Sequence, residues 1–131
     1  MTQPTKIPVL ASIDDNQDDQ FLFRRLIERS GITETFLTFS SGLEALDYMS
    51  EHGPDSIDTI LLDINMPEMD GYQFLEAAAE RFPSRLTPVY LMLTSSLSPK
   101  DQERAKEFEQ VKAFLMKPLT QEGIAQISQV S

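Results

Sequence analysis

Short apolar runs that alternate with segments of helical periodicity constrain the fold of this 131-residue chain more than any other feature. The runs predict five strands, at Val9–Ile13, Phe36–Phe39, Thr59–Leu62, Val89–Leu93 and Ala113–Met116. The intervening segments predict helices at about Asp18–Ser30, Leu43–Met49, Tyr72–Phe82, from Pro99 with Ser98 as N-cap, and from Gln121 towards Val130. Strict alternation with right-handed crossovers predicts an α/β domain, in which an open, doubly wound parallel sheet carries helices on both faces.

Polar residues stand at the carboxyl ends of four predicted strands. They are Asp14 and Asp15, Asp63, Thr94 and Lys117. In an open α/β sheet, ligands bind outside the carboxyl ends of the strands, where the strand order reverses. The fold therefore predicts that acids, a hydroxyl and an ammonium converge on one sheet edge, a set suited to moving a phosphoryl group onto Asp63.

The three acids indicate a site for a hard cation. At about 4 Å and an effective dielectric constant near 20, each pair of carboxylates repels by about 4 kcal/mol. Such a cluster takes up protons or binds a cation. Mg²⁺ suits a site of this kind, because its ligands are oxygens and few of them come from the protein. Taken alone, Asp14 and Asp15 fit equally well as turn-forming acids that open a helix.

Asp63 is the candidate nucleophile, since an aspartate accepts a phosphoryl group when the incoming charge is neutralised. Lys117 could stabilise one phosphoryl oxygen and Thr94 could donate a hydrogen bond to another. Each has an ordinary alternative. In isolation Lys117 is more readily explained as a solvated lysine at a strand end, and Thr94 as a residue that caps a turn with Ser95 and Ser96.

Composition excludes several classes of function. The net charge is −10, from 21 acidic and 11 basic residues, so nucleic-acid binding is not expected. The chain has no cysteine, which excludes disulfides and thiolate metal sites. Its first apolar stretch is too short for a signal peptide or a membrane span, which predicts a cytoplasmic protein without membrane insertion. His52, the single histidine, is predicted to be exposed and non-catalytic.

The ordered set of motifs resembles the receiver domain of bacterial response regulators. An Asp-Asp pair comes first, then Asp63 with Met66-Pro67-Glu68-Met69-Asp70-Gly71, then Thr94, then Lys117-Pro118. The match covers about residues 7–130. It implies a flavodoxin-like sheet of five parallel strands in the order 2-1-3-4-5 with five helices. Gly71 is expected to take a positive φ in the turn after Asp70.

The resemblance also implies the role of each site residue. Asp63 is expected to be the phosphoacceptor, and Lys117 its conformational and electrostatic partner. For Mg²⁺, the implied ligands are Asp63, Asp15 directly, Asp14 mainly through water, and the backbone carbonyl of Asn65. Thr94 is the implied switch hydroxyl. Phe114 matches the switch aromatic of the family, although ordinary strand packing explains it equally well.

The implied function is a phosphorylation-dependent signalling switch, not an enzyme. A sensor histidine kinase or a histidine phosphotransfer protein is the expected donor. Residues 1–131 are predicted to form one receiver domain without an output domain, so the signal would pass to another protein through the surface Leu97–Phe108, Phe114, Ile124 and Ile127. Ser95, Leu119 and the loop Glu51–Ile57 depart from the usual family pattern without touching the phosphorylation chemistry.

Three other interpretations remain open. A haloacid-dehalogenase-like phosphatase also uses a strand-end Asp, but it needs a second Asp two positions on, where this chain has Asn65. A flavodoxin-like FMN binder would need free N–H groups after strand one, where the acidic segment Asp14–Asp19 would repel a phosphate. A degenerate interaction module that is not phosphorylated would not need the complete set of site residues.

Overall fold

The computed structural model describes residues 6–84, 87–93 and 99–130, and these form one five-stranded parallel sheet with helices on both faces. The strand order is β2-β1-β3-β4-β5. The strands are β1 Ile7–Ile13, β2 Thr33–Phe39, β3 Thr59–Asp63, β4 Val89–Leu93 and β5 Val111–Met116. The helices are α1 Gln17–Ser30, α2 Gly42–His52, α3 Gly71–Arg81, α4 Pro99–Ala105 and α5 Gln121–Val130. The predicted fold class, strand order and element sequence are therefore confirmed.

Some elements extend beyond their predicted bounds. β2 begins at Thr33, before the apolar run, because Thr33 lies in register with Ile7 and Thr35 with Val9 of β1. The hydrogen-bond ladder of β1 thus extends β2 through polar, partly or fully exposed residues that no hydrophobic pattern marks. At the other end of the fold, α4 stops at Ala105, and its predicted N-cap, Ser98, lies outside the described residues.

The core consists of two apolar layers, one on each face of the sheet. Leu61 of β3 packs with α1 and α5, whereas its neighbours Ile60 and Leu62 pack with α2, α3 and Ala105 of α4. This alternation follows from the two-residue period of a strand. All five residues of β3 are buried, including the terminal Asp63. A carboxylate therefore lies buried at the carboxyl end of the central strand, between the two packed layers.

The turn between β3 and α3 corrects the expectation for Gly71. Positive φ occurs not at Gly71 but at Glu68, with φ 67°, where the Met69 N–H donates to the Pro67 carbonyl at 2.7 Å. Gly71 is required for a different reason. A Cβ at position 71 would lie 2.9 Å from the carbonyl oxygen of Asp63, so the start of α3 approaches the end of β3 more closely than a side chain allows.

Asp70 has a local structural role that the sequence analysis did not identify. Its side chain accepts a hydrogen bond from the Gln73 N–H at 2.8 Å, and the Gln73 side chain accepts one from the Asp70 N–H at 2.9 Å. This reciprocal capping box fixes the first turn of α3.

His52 ends α2 and is exposed, with its ring centroid 4.3 Å from that of Tyr48. Within the described part of the chain, none of the helices combines the length and apolar character needed to cross a membrane.

Candidate functional site

Asp14, Asp15 and Asp63, the acidic trio, meet at the carboxyl edge of the sheet. One carboxylate oxygen from each lies within 4.8 Å of the others. The fold brings them together because β1 and β3 are neighbours in the sheet, and both strands end at this edge. Asp14 and Asp63 are buried, whereas Asp15 is exposed. The trio is thus a partly desolvated cluster of negative charge with one side open to solvent.

Local hydrogen bonds orient the two buried carboxylates. Oδ1 of Asp14 accepts from the Asn16 N–H at 2.9 Å, and Oδ1 of Asp63 accepts from the Asn65 N–H at 3.3 Å. In both cases an aspartate side chain bonds the backbone two residues on, as Asp commonly does in turns. Each carboxylate keeps its second oxygen, Oδ2, for other partners.

Lys117 places its ammonium among these acids from the end of β5, and its peptide bond to Pro118 is cis. Its Nζ lies 2.7 Å from Asp14 Oδ2, 2.9 Å from Asp19 Oδ2 and 3.7 Å from Asp63 Oδ2. Only the first two contacts are hydrogen bonds, since 3.7 Å is too long for an N–H···O hydrogen bond. The lysine side chain is 9% exposed, so it is not the solvated strand-end residue of the alternative interpretation.

Asp19 is a member of the site that sequence reasoning missed. It lies in the first turn of α1, where acids are common for reasons of helix stability alone. Its only sequence signal was membership of the acidic segment after β1. The contact with Lys117 joins residues 98 positions apart, and no local pattern predicts such a pairing.

The pKa shifts of Asp63 and Lys117 have different causes. Burial, together with the charge of Asp14, raises the pKa of Asp63 from 3.8 to about 6, although Lys117 and the Asn65 N–H oppose the shift. Burial lowers the pKa of Lys117, but its hydrogen bonds to Asp14 and Asp19 outweigh this, and the net shift is upward. Lys117 therefore stays a cation, while the ionised form of Asp63 is less favourable than that of an exposed aspartate and would be favoured by further positive charge nearby.

The donor set fits Mg²⁺. The trio offers carboxylate oxygens without imidazole or thiolate, and the open side at Asp15 leaves room for water ligands. One ammonium does not neutralise Asp14, Asp19 and Asp63 together, and buried like charges are costly unless they are compensated. A divalent cation would supply the missing charge.

Gln20 supports the site from beneath and was also missed. It is buried on α1, and its Nε2 donates to the carbonyls of Ser12, Asp14 and Phe39 at 3.2, 3.1 and 3.1 Å. These carbonyls belong to the ends of β1 and β2. A single amide thus ties α1 to the strand ends that carry the acidic trio.

Three predicted site residues remain, namely Asn65, Phe114 and Thr94. Asn65 is exposed and stands two residues after Asp63. Phe114 is partly buried, packs against the core layer that includes Ala105, and lines a cavity of about 540 Å³ beside α4. Thr94 follows the last residue of β4 but lies outside the described residues, so its predicted place at the site stays a prediction.

Comparison with known proteins identifies the family. The family model of the response regulator receiver domain matches residues 10–129. The chain belongs to this family. The polar-differentiation response regulator DivK of Brucella ovis is 38% identical over 108 residues, which are 82% of each chain. The probable methanogenesis regulatory protein FilR2 of Methanothrix harundinacea is 32% identical over 119 residues, 88% of this chain and 76% of that protein.

Solved receiver structures share the fold. A two-component response regulator from Cytophaga hutchinsonii superposes with a TM-score of 0.85 at 27% identity, covering 95% of this chain and 96% of that one. The chemotaxis protein CheY4 of Vibrio cholerae does so with a TM-score of 0.74 at 25% identity, covering 95% and 98%. This receiver domain is accordingly a phosphorylation-dependent signalling domain of the two-component type, and the phosphatase alternative finds no support.

Proposed function

We propose that Asp63 is the phosphoacceptor of this receiver domain. The observation that carries the proposal is the convergence of two further acids and one buried ammonium on this strand-end carboxylate. An oxygen of Asp63 would attack the phosphorus of a phosphohistidine on a histidine kinase or phosphotransfer protein. The P–N bond breaks as the P–O bond of an acyl phosphate forms, and the imidazole leaves with a proton. The reaction would regenerate the donor histidine and store the signal on Asp63.

Mg²⁺ would be held by Asp14, Asp15, Asp63 and the backbone carbonyl of Asn65, with Asp14 acting mainly through water. When bound, it would neutralise charge on the phosphoryl oxygens and on the acids around them. Among the residues of the chain, Lys117 would then contribute a hydrogen bond to one phosphoryl oxygen. Its ammonium already lies 3.7 Å from Asp63 Oδ2, so a small displacement suffices.

The phosphoryl signal would be read through Thr94 and Phe114. Thr94 directly follows β4, and its hydroxyl would donate to a phosphoryl oxygen. Phe114 would repack into the cavity beside α4 and change the α4–β5–α5 surface offered to a partner protein. A coupling of about 1–3 kcal/mol would shift populations between two forms of that surface. In this proposal the domain assists only its own phosphorylation and dephosphorylation and turns over no other substrate.

Incubation with acetyl phosphate and Mg²⁺, read by intact mass, tests the phosphoacceptor. The wild-type chain is expected to gain one phosphoryl group, and Asp63→Asn none. Asp47→Asn is the matched control, because the Asp47 side chain is 69% exposed on α2, and it should be modified like wild type. Omission of Mg²⁺ with a chelator present should suppress the gain. A phosphoryl group on Asp63→Asn, or none on wild type, would overturn the proposal.

Amide NMR spectra with beryllofluoride and Mg²⁺ test the switch. Shift changes are expected across Lys100–Phe108 and at Phe114 in wild type. In Thr94→Ala they should shrink there but persist at Asn65, which lies next to the site. Unchanged amides from α4 through β5 in wild type would refute the switch while leaving the phosphoacceptor intact.

A further inference from the structure

The ammonium of Lys117 is shared unequally among three carboxylates. A lysine has three N–H donors. Two of them are used on Asp14 at 2.7 Å and Asp19 at 2.9 Å, while Asp63 lies at 3.7 Å, beyond hydrogen-bonding distance. Asp19 therefore outcompetes Asp63 for this ammonium. The Lys117 ammonium is drawn towards Asp19 and away from the proposed phosphoacceptor, Asp63.

The first turn of α1 explains why Asp19 is free to do this. Asn16 is the N-cap, and its Oδ1 accepts from the Asp19 N–H at 3.0 Å, which fixes the Asp19 backbone. In a capping box, an acid three residues after the cap reaches back to the N–H of the cap residue. Here that N–H is already bonded to Asp14 Oδ1 at 2.9 Å. The Asp19 carboxylate is left for Lys117.

We propose that Asp19 is a positioning residue for the metal site: it holds the Lys117 ammonium beside Asp14 and away from Asp63, which keeps the acidic trio negative enough to bind a divalent cation. The inference deepens the proposed function and rests on it. With Asp19 neutralised, Lys117 would move to Asp63 and partly satisfy its charge. Both the lost carboxylate and the displaced ammonium then disfavour Mg²⁺, so the two effects add.

Calorimetric titration of the unphosphorylated protein with MgCl₂ directly measures the effect of Asp19 on the affinity for Mg²⁺. Asp19→Asn is expected to raise the dissociation constant for Mg²⁺ about 5- to 20-fold, as the electrostatics of partly buried charges suggest. Asp18→Asn is the matched control. It removes the same charge from the neighbouring, exposed residue. Because exposed charges are screened, the Mg²⁺ dissociation constant should change by less than about twofold. Urea denaturation of each variant verifies that it folds.

A double-mutant cycle separates positioning from simple loss of charge. If Asp19 acts through the lysine, Asp19→Asn should change the Mg²⁺ dissociation constant several-fold less in a Lys117→Gln background than in the native one. Equal effects in both backgrounds, or a wild-type affinity in Asp19→Asn alone, would overturn the inference.

The two proposals fail in different ways. Acetyl phosphate at saturating Mg²⁺ should still add one phosphoryl group to the wild-type chain. A wild-type chain that takes up no phosphoryl group contradicts the proposed function. A wild-type chain that is phosphorylated, beside an Asp19→Asn variant with unaltered Mg²⁺ affinity, contradicts only the role of Asp19.

Discussion

The backbone of Gly71 lies against the carbonyl of Asp63 so closely that a Cβ at position 71 would stand 2.9 Å from that oxygen. The same Cβ would lie 3.0 Å from the Cα of Ile64, and the Gly71 N–H donates to the Ile64 carbonyl at 2.9 Å. Both obstructing atoms are backbone, so no rotamer change relieves the contact. The start of α3 is thereby docked onto the strand end that carries the proposed phosphoacceptor.

Gly71→Ala is expected to destabilise the domain by about 1–3 kcal/mol, the usual cost of forcing extra volume into a packed site. It should also slow phosphorylation by acetyl phosphate, because the backbone that must move is that of Asp63. Gly123→Ala is the control. There the added Cβ meets a movable side-chain atom, Leu119 Cδ1 at 3.2 Å, and alanine improves helix propensity. Urea denaturation should place Gly123→Ala at or above wild type, and a wild-type stability for Gly71→Ala would contradict the docking.

The raised pKa of Asp63 makes stability depend on pH when Mg²⁺ is removed by a chelator. Because the pKa rises from 3.8 to about 6 on folding, the native state binds more protons than the unfolded state between these values. This contribution is fully present below about pH 4 and is lost as the pH rises through about 6. Asp63→Asn should therefore be more stable than wild type at pH 7–8, by about 1–3 kcal/mol.

Denaturation curves from pH 4 to 8 check this expectation. The difference between Asp63→Asn and wild type should shrink towards acid pH, and Mg²⁺ should stabilise wild type more than the variant. The exposed Asp47→Asn serves as control and should follow wild type across the range. A wild-type chain that gains stability over Asp63→Asn as the pH rises without metal would show that the shift has the opposite sign.

Tyr72 links α3 to α4 through Asp101. Its hydroxyl lies 3.2 Å from Asp101 Oδ1, and burial together with the Asp101 charge raises the pKa of Tyr72 to about 12. Because burial is the larger cause, Asp101→Asn should lower this pKa without bringing it back to 10.0. A pH titration of the Tyr72 ring carbon by NMR measures the change, with Glu103→Gln, exposed on the same helix, as control. An unchanged pKa in Asp101→Asn would contradict the link.

The sequence predicted the elements whose burial is periodic and the residues that end strands. Asp14, Asp15, Asp63 and Lys117 follow apolar runs, and parallel strands align their carboxyl ends, so their convergence could be predicted from pattern and topology alone. The strand order itself came from family resemblance, because alternation of strands and helices does not fix which strands are neighbours.

The sequence did not reveal the roles of residues whose contacts are with distant parts of the chain, because such contacts leave no local sequence pattern. Asp19 and Gln20 follow one another in the first turns of α1, where an acid and an amide are unremarkable, and their roles come from partners on other elements. Gly71 was predicted to take a positive φ, and that prediction was wrong. A glycine in a turn suggests positive φ, whereas the actual constraint is the close approach of two backbone segments, which no sequence pattern marks.

Gln20 offers a test of how far the strand ends depend on one side chain. Gln20→Glu would replace the donating Nε2 by a carboxylate oxygen facing the carbonyls of Ser12, Asp14 and Phe39. Buried acceptors without a donor, together with a buried charge, should cost about 2–4 kcal/mol in urea denaturation. Gln121→Glu makes the same chemical change at an exposed position in the first turn of α5, where an acid is favourable, and should be neutral or stabilising. Equal stability of the two variants would mean that the Gln20 amide does not hold the strand ends. A loss in Gln20→Glu that shrinks at acid pH, where the new carboxyl is neutral and can donate one hydrogen bond, would identify the buried charge and the missing donor together as the cause.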